Sequence, residues 1–325
     1  MKRISIVIPC YNNFSLMENC LKSLENQSVK DFEVIIVDDC STDESYKQLL
    51  DYAKESILDL YIKKTIKNLG PGGARNLGIE ESNGKYIMML DSDDYIEYNT
   101  IELLNKIIDE KKVDCIFFDY YLESSSKICK RSTMPGFSEG YVERSDALIF
   151  SNGAAWGKIY LLDIIKNNDI YYPDLIRNED MPFNKIAISN CRKFFYLKSY
   201  LYHYVMNENS LMHDNKLLNE NNAIKAFEYI KSNIDNNFQY ELEAIFIKEY
   251  LYSTTMTLVK KGCSSTKIKE HIIKEEKLYP NWFSNKSILK YPIYMKVCLH
   301  LIKYKNIFLL KIAGKIKNKL KNKGW

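Results

Sequence analysis

Asp91 and Asp93 are the two side chains whose types and spacing most directly suggest chemistry in this sequence. They follow an apolar segment, 86–90, that has the composition of a buried strand. Two carboxylates at positions i and i+2 on an extended turn can bind one divalent cation, with a diphosphate supplying further oxygens. A solvated turn or a helix N-cap has the same pattern. How strongly the pair indicates a metal site therefore depends on the motifs around it.

A second acidic pair, Asp38 and Asp39, follows another strand-like run at 32–37. An ionised carboxylate at this position can accept the imide hydrogen of uracil. The alternative role is capping of the next helix. Ser41 already fills that role in the sequence, because Ser41 and Glu44 have the spacing of a capping box.

Residues 68–76 form a glycine-rich turn that leads into a helix predicted to begin at Ala74. Free backbone amides at a helix start favour phosphate, and Arg75 would lie in the first turn. A loop without a binding role is the alternative.

The elements that must position these residues alternate between strand and helix. A capping box at Ser15 and Glu18 predicts the start of the first helix. Such alternation predicts βαβ units in a mostly parallel sheet, and ligands bind at the carboxyl ends of its strands. The first strand is not followed by Gly-x-Gly-x-x-Gly, and the chain has no Gly-Lys-Ser/Thr loop, which disfavours a dinucleotide fold and a P-loop NTPase. Strands are predicted at 4–8, 32–37, 60–66, 86–90 and 115–120.

Four segments, in this order and at these spacings, resemble family 2 glycosyltransferases of the GT-A fold. They are Val-Ile-Pro-Cys-Tyr-Asn at 7–12, Ile-Val-Asp-Asp-Cys-Ser-Thr-Asp at 36–43, Asn-Leu-Gly-Pro-Gly-Gly-Ala-Arg-Asn at 68–76 and Leu-Asp-Ser-Asp-Asp at 90–94. The resemblance extends over residues 2–120 and continues more weakly to 215. It implies an α/β fold with a Rossmann-like sheet flanked by helices.

The resemblance also implies a nucleotide-sugar site at the strand ends. In it Pro9, Tyr11 and Asp39 hold the nucleobase, while Asn68 and Arg75 contact the nucleotide. The complete implied set is Pro9, Tyr11, Asp39, Asn68, Gly73, Arg75, Ser92 and Asp93.

A divalent cation, Mn²⁺ or Mg²⁺, is implied at the Asp-x-Asp motif. Asp91 and Asp93 are its implied ligands, with Asp93 the direct one. Carboxylate oxygens are the ligands that such hard cations prefer.

A further motif, Asn-Glu-Asp-Met-Pro-Phe at 178–183, resembles the family's Glu-Asp motif at a helix start. The resemblance implies that Asp180 is the catalytic base and that Glu179 lies near the acceptor. Trp156 and Lys158 belong to a stretch that resembles the family's Trp-x-Lys segment near the acceptor. Core packing is an equal alternative for Trp156.

The sequence departs from the family pattern at Val205 and Asn207, where many relatives carry arginines that contact the diphosphate. Another cation must then neutralise the diphosphate, or the segment that closes over the donor does so in a different way. His203 or His213 could reach the metal or phosphate, although a lone histidine is more often structural.

The predicted function is inverting transfer of a hexosyl or N-acetylhexosaminyl group to a hydroxyl of a glycan or lipid-linked acceptor in cell-surface polysaccharide assembly. The expected donor is a nucleotide sugar of the UDP-sugar class. A nucleotidyltransferase is an alternative, but Asn-Asn-Phe-Ser at 12–15 is not its basic glycine loop. The other alternative is a catalytically degenerate partner of another transferase, supported only by the departure at Val205 and Asn207.

The C-terminal segment differs from the rest of the chain in charge. Residues 277–325 contain twelve lysines and no Asp, Glu or Arg, so the preceding residues carry a net −8 within the chain's +4. An apolar stripe flanked by lysines predicts a helix in the interface of an anionic membrane, with docking of the stripe on the protein as the alternative. Nucleic acid is not expected, because the tail has no Arg and its stripe needs burial. The stripe consists of Leu309, Ile312, Ala313, Ile316 and Leu320.

Composition bounds the remaining possibilities. Eight cysteines without a CxxC pair disfavour disulfides and structural zinc. No apolar run reaches the roughly 20 residues of a membrane span, and Met-Lys-Arg at 1–3 leads into a strand without a cleavage site. We expect a cytoplasmic chain that can lie peripherally at the inner face of the cell membrane.

The expected domains are a catalytic domain at 1–215, with a nucleotide-sugar half at 1–120 and an acceptor half at 121–215, and a helical region at 216–325. The sequence does not indicate an oligomeric state.

Overall fold

The structure is a computed structural model that describes residues 2–175, 178–206 and 220–322, and the side chains of all of these except 220–221 and 317–322. The chain forms two compact units. One consists of Met1–Asn222 with Glu228–Asn233, and the other of Ala223–Phe227 with Ile234–Trp325. The domain boundary expected after residue 215 falls outside the described residues and stays a prediction.

The first unit is built on one sheet. Within the described chain its spatial order is β3-β2-β1-β4-β9-β6-β10-β5, with β7 beside β6 and β8 beside β10. The strands are β1 Ile4–Cys10, β2 Phe32–Asp38, β3 Leu60–Lys64, β4 Tyr86–Met89, β5 Tyr95–Ile96, β6 Cys115–Ser124, β7 Lys127–Arg131, β8 Gly140–Val142, β9 Lys158–Leu161 and β10 Phe194–Val205.

Strand pairing brings the predicted polar strand ends to one edge. β1 pairs in parallel with both β2 and β4, and Cys10 lies opposite Asp38 at the carboxyl ends. β2 continues in parallel to β3. Beyond β4 the sheet is mixed, because β9 runs antiparallel between β4 and β6. The first two strands are almost wholly buried and mostly apolar, which is typical of a parallel sheet with helices on both faces.

Seven helices flank this sheet in the described part of the first unit before β10. They are α1 Glu18–Glu25, α2 Ser45–Glu55, α3 Gly70–Glu81, α4 Thr100–Lys111, α5 Arg144–Phe150, α6 Leu162–Asn167 and α7 Asp180–Asn190.

Both predicted capping boxes are wrong. Residues Phe14–Leu16 form a short 3-10 helix, and α1 begins at Glu18 without a side-chain cap. The hydroxyl of Ser41 accepts the backbone N–H of Asn12 (2.9 Å) instead of capping α2. Ser41 therefore joins the loops after β1 and β2, which the local pattern could not show.

The glycine-rich turn is already helical. α3 begins at Gly70 rather than at Ala74, with Pro71 in its first turn, where a missing N–H is tolerated. A side chain at Gly78 would overlap the Cγ1 of Val7, so this glycine permits close contact between α3 and β1. The predicted glycine-rich entry and the helix are thus one element.

The second unit consists of helices. Its described elements, with α8 shared with the first unit, are α8 Glu220–Asn233, α9 Gln239–Ile245, a π-helical segment at Phe246–Tyr252, α10 Ser253–Lys260, α11 Ser265–Glu276, α12 Ile293–Lys303 and α13 Ile307–Asn322. Gly262 follows α10 with a positive φ of 71°. Glycine adopts this left-handed conformation without a side-chain clash, so it is a common residue just after a helix.

The last helix, α13, packs within the second unit by a face other than the predicted stripe. It lies against α10, α11 and α12, with Ile307 and Leu310 buried. Leu309, Ile312 and Ile316 of the stripe are 43%, 40% and 51% exposed. The side chain of Leu320 lies outside the described residues. None of the described helices has both the length and the apolar content needed to cross a membrane.

Candidate active site

The end of β2 is joined to the start of α3 through Asp39. Its backbone N–H donates to the carbonyl of Cys10 (2.7 Å). Its buried carboxylate accepts hydrogen bonds from the Thr65 hydroxyl (2.9 Å) and the Leu69 N–H (2.9 Å). Asp39 therefore holds the loop that carries Asn68 in place, in addition to any role toward a nucleobase.

The loop after β1 is held by Asn12. This residue has a φ of 49°, and its side-chain oxygen accepts the backbone N–H of Thr42 (2.8 Å). The neighbouring Tyr11 is 45% exposed, and Pro9 is partly buried at the end of β1. The predicted nucleobase residues Pro9 and Tyr11 thus flank the strand edge that Asp39 also occupies.

The Asp-x-Asp motif forms a turn after β4. The N–H of Asp94 donates to the carbonyl of Asp91 (3.1 Å). Ser92 is buried and accepts a hydrogen bond from the side chain of Asn13 (2.7 Å). Asp91 and Asp93 remain partly exposed on either side of it. The turn therefore presents two carboxylates, as the spacing predicts.

Asp94 supports this turn, and the sequence reasoning did not single it out. Its buried carboxylate accepts hydrogen bonds from the Tyr202 hydroxyl (2.6 Å) and the Val205 N–H (2.8 Å). The Tyr202 hydroxyl in turn accepts the N–H of Asp91 (3.2 Å). Burial raises the pKa of Asp94 well above its ordinary value. Its place next to Asp93 in the motif was the available signal.

Arg75 connects the two predicted halves of the site. Its Nη2 donates to Asp91 Oδ1 (2.7 Å) and its Nη1 to Asp180 Oδ1 (3.0 Å). Glu179 lies 3.7 Å from Nη1. The guanidinium is 5% exposed; burial disfavours its charge, but the carboxylates of Asp180 and Asp91 outweigh this and hold the pKa of Arg75 well above its ordinary value.

The two acidic residues at the start of α7 have different environments. Burial, followed by the charge of Asp180, raises the pKa of Glu179 to about 7. Partial burial also raises the pKa of Asp180, while the charge of Arg75 and a backbone hydrogen bond from Ala155 oppose that rise. The Asp180 side chain keeps 30% exposure, so one face of it can meet a ligand.

Trp156 and Lys158 support the segment beside Asp180. Trp156 is 8% exposed and stacks on Tyr202, with ring centroids 4.7 Å apart. The buried ammonium of Lys158 donates to the side-chain oxygen of Asn152 (2.9 Å) and the carbonyl of Ala154 (2.6 Å). Trp156 thus packs against its neighbours, and its role near an acceptor stays a prediction.

Other predicted residues lie around the site. Asn68 accepts the N–H of Gly70 (3.3 Å), and Gly73 lies in the first turn of α3. His203 has both ring nitrogens on carboxylates, Glu97 (3.0 Å) and Glu123 (3.2 Å), which leaves neither for a phosphate. Asn207 and His213 lie outside the described residues.

The carboxylate pair fits a cation that also binds a ligand. No cluster of three or more His, Cys, Asp or Glu side chains suited to a metal occurs in the described chain. Asp91 and Asp93 provide only oxygen donors at a partly exposed turn, and one Asp91 oxygen is engaged by Arg75. Such a donor set suits Mg²⁺ or Mn²⁺ when a diphosphate supplies the remaining ligands.

The mixed sheet, its flanking helices and the polar strand ends at one edge form the GT-A fold. Residues 5–162 match the sequence profile described as Glycosyl transferase family 2, and the chain therefore carries a glycosyltransferase domain of this family.

Two curated relatives are similar to this chain over 63% of its length. Poly(ribitol-phosphate) beta-N-acetylglucosaminyltransferase TarS of Staphylococcus aureus (strain MW2) is 28% identical over 208 residues, which are 63% of this chain and 35% of the relative. Poly(ribitol-phosphate) beta-glucosyltransferase of Bacillus spizizenii is 32% identical over 211 residues, 63% of this chain and 32% of the relative. The chain thus spans about a third of these relatives.

Solved structures confirm the fold over nearly the whole chain. S. aureus TarS 1-349 in complex with UDP-GlcNAc has a TM-score of 0.73 at 22% identity, covering 98% of this chain and 92% of that one. The mannosyltransferase PcManGT of Pyrobaculum calidifontis, in complex with GDP-Man and Mn²⁺, has a TM-score of 0.58 at 14% identity, covering 97% and 86%.

Proposed function

We propose that this chain is an inverting, metal-dependent glycosyltransferase. It moves a hexosyl or N-acetylhexosaminyl group from a UDP-sugar to a hydroxyl of a glycan or lipid-linked acceptor in cell-surface polysaccharide assembly. The observation that carries the proposal is the contact of one buried guanidinium, Arg75, with both Asp91 and Asp180. The UDP-GlcNAc bound by a protein of the same fold and the polymer names of the curated relatives support it.

The donor site follows from the strand edge. Tyr11 and Pro9 offer apolar surface to a uracil ring. Asp39 has two carboxylate oxygens with several lone pairs, so it can accept the uracil imide hydrogen while it retains Leu69. Asn68 and the amide of Gly73 lie at the α3 start, where phosphate is favoured, and Ser92 and Asp93 complete the set.

A divalent cation held by Asp91 and Asp93 would supply charge neutralisation at the departing diphosphate. Arg75 supports this pair from the buried side of the site. Its bond to Asp91 holds one carboxylate in place, and its charge offsets the repulsion among Asp91, Glu179 and Asp180. Arg75 thereby sets the geometry of donor and acceptor sides together.

Asp180 is the proposed general base. Its carboxylate would take the proton of the acceptor hydroxyl while that oxygen attacks the anomeric carbon opposite the leaving group, which inverts the centre. Arg75 and the Ala155 N–H favour the ionised form that this step requires. Glu179 would lie beside the acceptor, and Trp156 and Lys158 would position the neighbouring segment.

The proposed partners follow from the acceptor. An acceptor carried on a lipid is reached at the inner face of the cell membrane, so we propose a cytoplasmic, peripheral location with α13 at the anionic surface. Residues 1–215 would form the catalytic domain, with donor and acceptor halves divided at residue 120, and 216–325 the helical region.

The test is release of UDP from a panel of UDP-sugars, with and without acceptor glycans, in the presence of Mn²⁺. We expect one donor to release UDP in an acceptor-dependent manner with inversion at the anomeric carbon. Formation of UTP and a sugar 1-phosphate from a UDP-sugar and added pyrophosphate, without release of UDP, would identify a nucleotidyltransferase. Absence of any release across the panel would favour the degenerate partner.

A further inference from the structure

Two neighbouring helices of the second unit, α12 and α13, expose apolar side chains to solvent, and so does Tyr304 directly after α12. We name this set the α12–α13 face. Its members are between 40% and 77% exposed. They are Ile293, Val297, Tyr304, Phe308, Leu309, Ile312 and Ile316.

These side chains are exposed even though both helices pack against the rest of the second unit. α12 buries Met295, Leu299 and Ile302, and α13 buries Ile307 and Leu310. A helix that packs by one face normally carries polar residues on the other. Both helices are therefore apolar on two sides, one against the unit and one toward solvent.

The exposed residues share one side of each helix. Ile293 and Val297 are four residues apart, as are Phe308, Ile312 and Ile316 in succession, and this spacing repeats on one helical face. The two helices pack on each other, and the hydroxyl of Tyr294 donates to the carbonyl of Ala313 (3.1 Å). Since each buries its opposite side, the exposed sides form one joint surface.

The border of this surface is cationic. Lys296 and Lys303 lie on α12, and Lys311 and Lys315 lie on α13. No acidic residue follows Glu276 in the sequence. Long lysine side chains beside aliphatic and aromatic groups suit a boundary between anionic phosphates and hydrocarbon.

We propose that the α12–α13 face binds the surface of an anionic lipid bilayer. Its apolar side chains enter the boundary between headgroups and acyl chains, and its lysines contact lipid phosphates. This deepens the membrane partner of the proposed function, and it extends the contact from the terminal helix to α12. A protein partner is disfavoured because the charged residues of α12 and α13 are all lysines, and lysines match a phosphate layer better than a mixed protein surface.

The test is sedimentation of the full chain with vesicles of phosphatidylcholine alone or mixed with phosphatidylglycerol. We expect binding only to the anionic vesicles and weaker binding at high salt. Phe308→Ser with Ile312→Ser, and separately Ile293→Ser with Val297→Ser, should each abolish it. Substituting these exposed residues avoids deletion of α13, which would remove Ile307 and Leu310 from the core.

Matched variants separate lipid contact from general stickiness. Ile57→Ser with Ile128→Ser removes two apolar residues that are 74% and 56% exposed in the first unit, and it should bind like the unmodified chain. Lys311→Gln and Lys315→Gln should each weaken binding about fivefold.

Three results would overturn the proposal: no binding to anionic vesicles at low salt, full binding by the serine variants, or an oligomer in lipid-free solution that the serine variants dissociate. The last would assign the face to a second copy of the chain. UDP release, measured in the same samples, reports on the transferase proposal and does not depend on vesicle binding.

Discussion

At the scale of single residues, Arg75 has the largest structural consequence in the site. Its buried guanidinium faces Asp91, Asp180 and Glu179. Arg75→Met would leave these carboxylates near one another without a cation. Breaking such a buried pair costs about 3–5 kcal/mol, so we expect a loss of that order in unfolding free energy at pH 7.

Urea denaturation measures this loss, and a surface arginine serves as its control. Arg3 pairs with Asp109 and Asp31 at 37% exposure, so Arg3→Met should cost less than about 1 kcal/mol. The loss for Arg75→Met should shrink at acidic pH, because protonation neutralises the unpaired carboxylates. Equal losses for the two variants would show that the Arg75 contacts do not stabilise the fold.

Asp180→Asn tests the proposed base. The amide keeps the shape of the side chain but cannot accept the proton, so kcat should fall by about 10²- to 10⁴-fold. UDP affinity, measured by calorimetry, should barely change. Asp163→Asn, on the exposed start of α6, should leave both quantities unaltered. A variant that lost UDP binding and kept its turnover would make Asp180 a binding residue.

Asp93→Ala tests the proposed metal site. Loss of this proposed metal ligand should abolish turnover. Because Asp93 is partly exposed on a turn, the substitution should leave thermal unfolding nearly unchanged. Turnover of the unmodified chain should also require Mn²⁺ or Mg²⁺ and stop in excess EDTA. Full activity in EDTA would contradict both parts of this prediction.

Glu179 should make the stability of the protein depend on pH. Its pKa is about 7 in the folded protein, above the ordinary value of 4.5. Between these values the folded state keeps a proton that the unfolded state has lost, so this contribution to stability falls as pH rises, by about 1 kcal/mol per unit. Glu179→Gln should flatten the decrease between about pH 5 and 7 in urea denaturation. A variant with an unchanged slope would be evidence against this titration.

At the scale of elements, contact between α3 and β1 sets the position of Arg75. Gly78 faces Val7 so closely that an added methyl group would overlap its Cγ1. Gly78→Ala should therefore destabilise the fold by about 1–3 kcal/mol despite the better helix propensity of alanine.

Thermal unfolding of a second glycine variant provides the comparison. At Gly153 an added methyl group would meet Met181 at an ordinary 3.5 Å, so Gly153→Ala should change stability little. Similar effects of the two substitutions would mean that α3 can move away from β1 without loss.

Element prediction succeeded where the signal was local and continuous. The β-branched apolar runs at 4–8 and 32–37 correspond to β1 Ile4–Cys10 and β2 Phe32–Asp38. It failed at helix starts, because a serine hydroxyl has several partners within reach once the chain folds. Ser41 contacts Asn12, which lies 29 positions away.

At the scale of the whole molecule, the proposed catalytic residues and the proposed lipid surface belong to different compact units. All of the proposed donor, metal and base residues lie in the first unit, and the α12–α13 face lies in the second. Substitutions on that face should therefore leave the site residues and their contacts intact, which is why vesicle binding and UDP release serve as independent measurements.

The sequence by itself determined which residue types stand at the strand ends. Apolar runs locate strands, and Asp39, Asp91 and Asp93 follow them directly, so their convergence at one sheet edge was predictable. The amphipathic pattern of the last helix was also predictable, because helical periodicity is a local property of the sequence.

Only the tertiary structure decided which of these groups are paired. Arg75, Asp91 and Asp180 are far apart in the chain, and they meet because the N-terminal part of α3, the turn after β4 and the start of α7 lie next to one another. Likewise, only packing of α13 by Ile307 and Leu310 left its other apolar side exposed. Ion pairing and burial depend on distances between elements, and these distances are set by the folded chain as a whole.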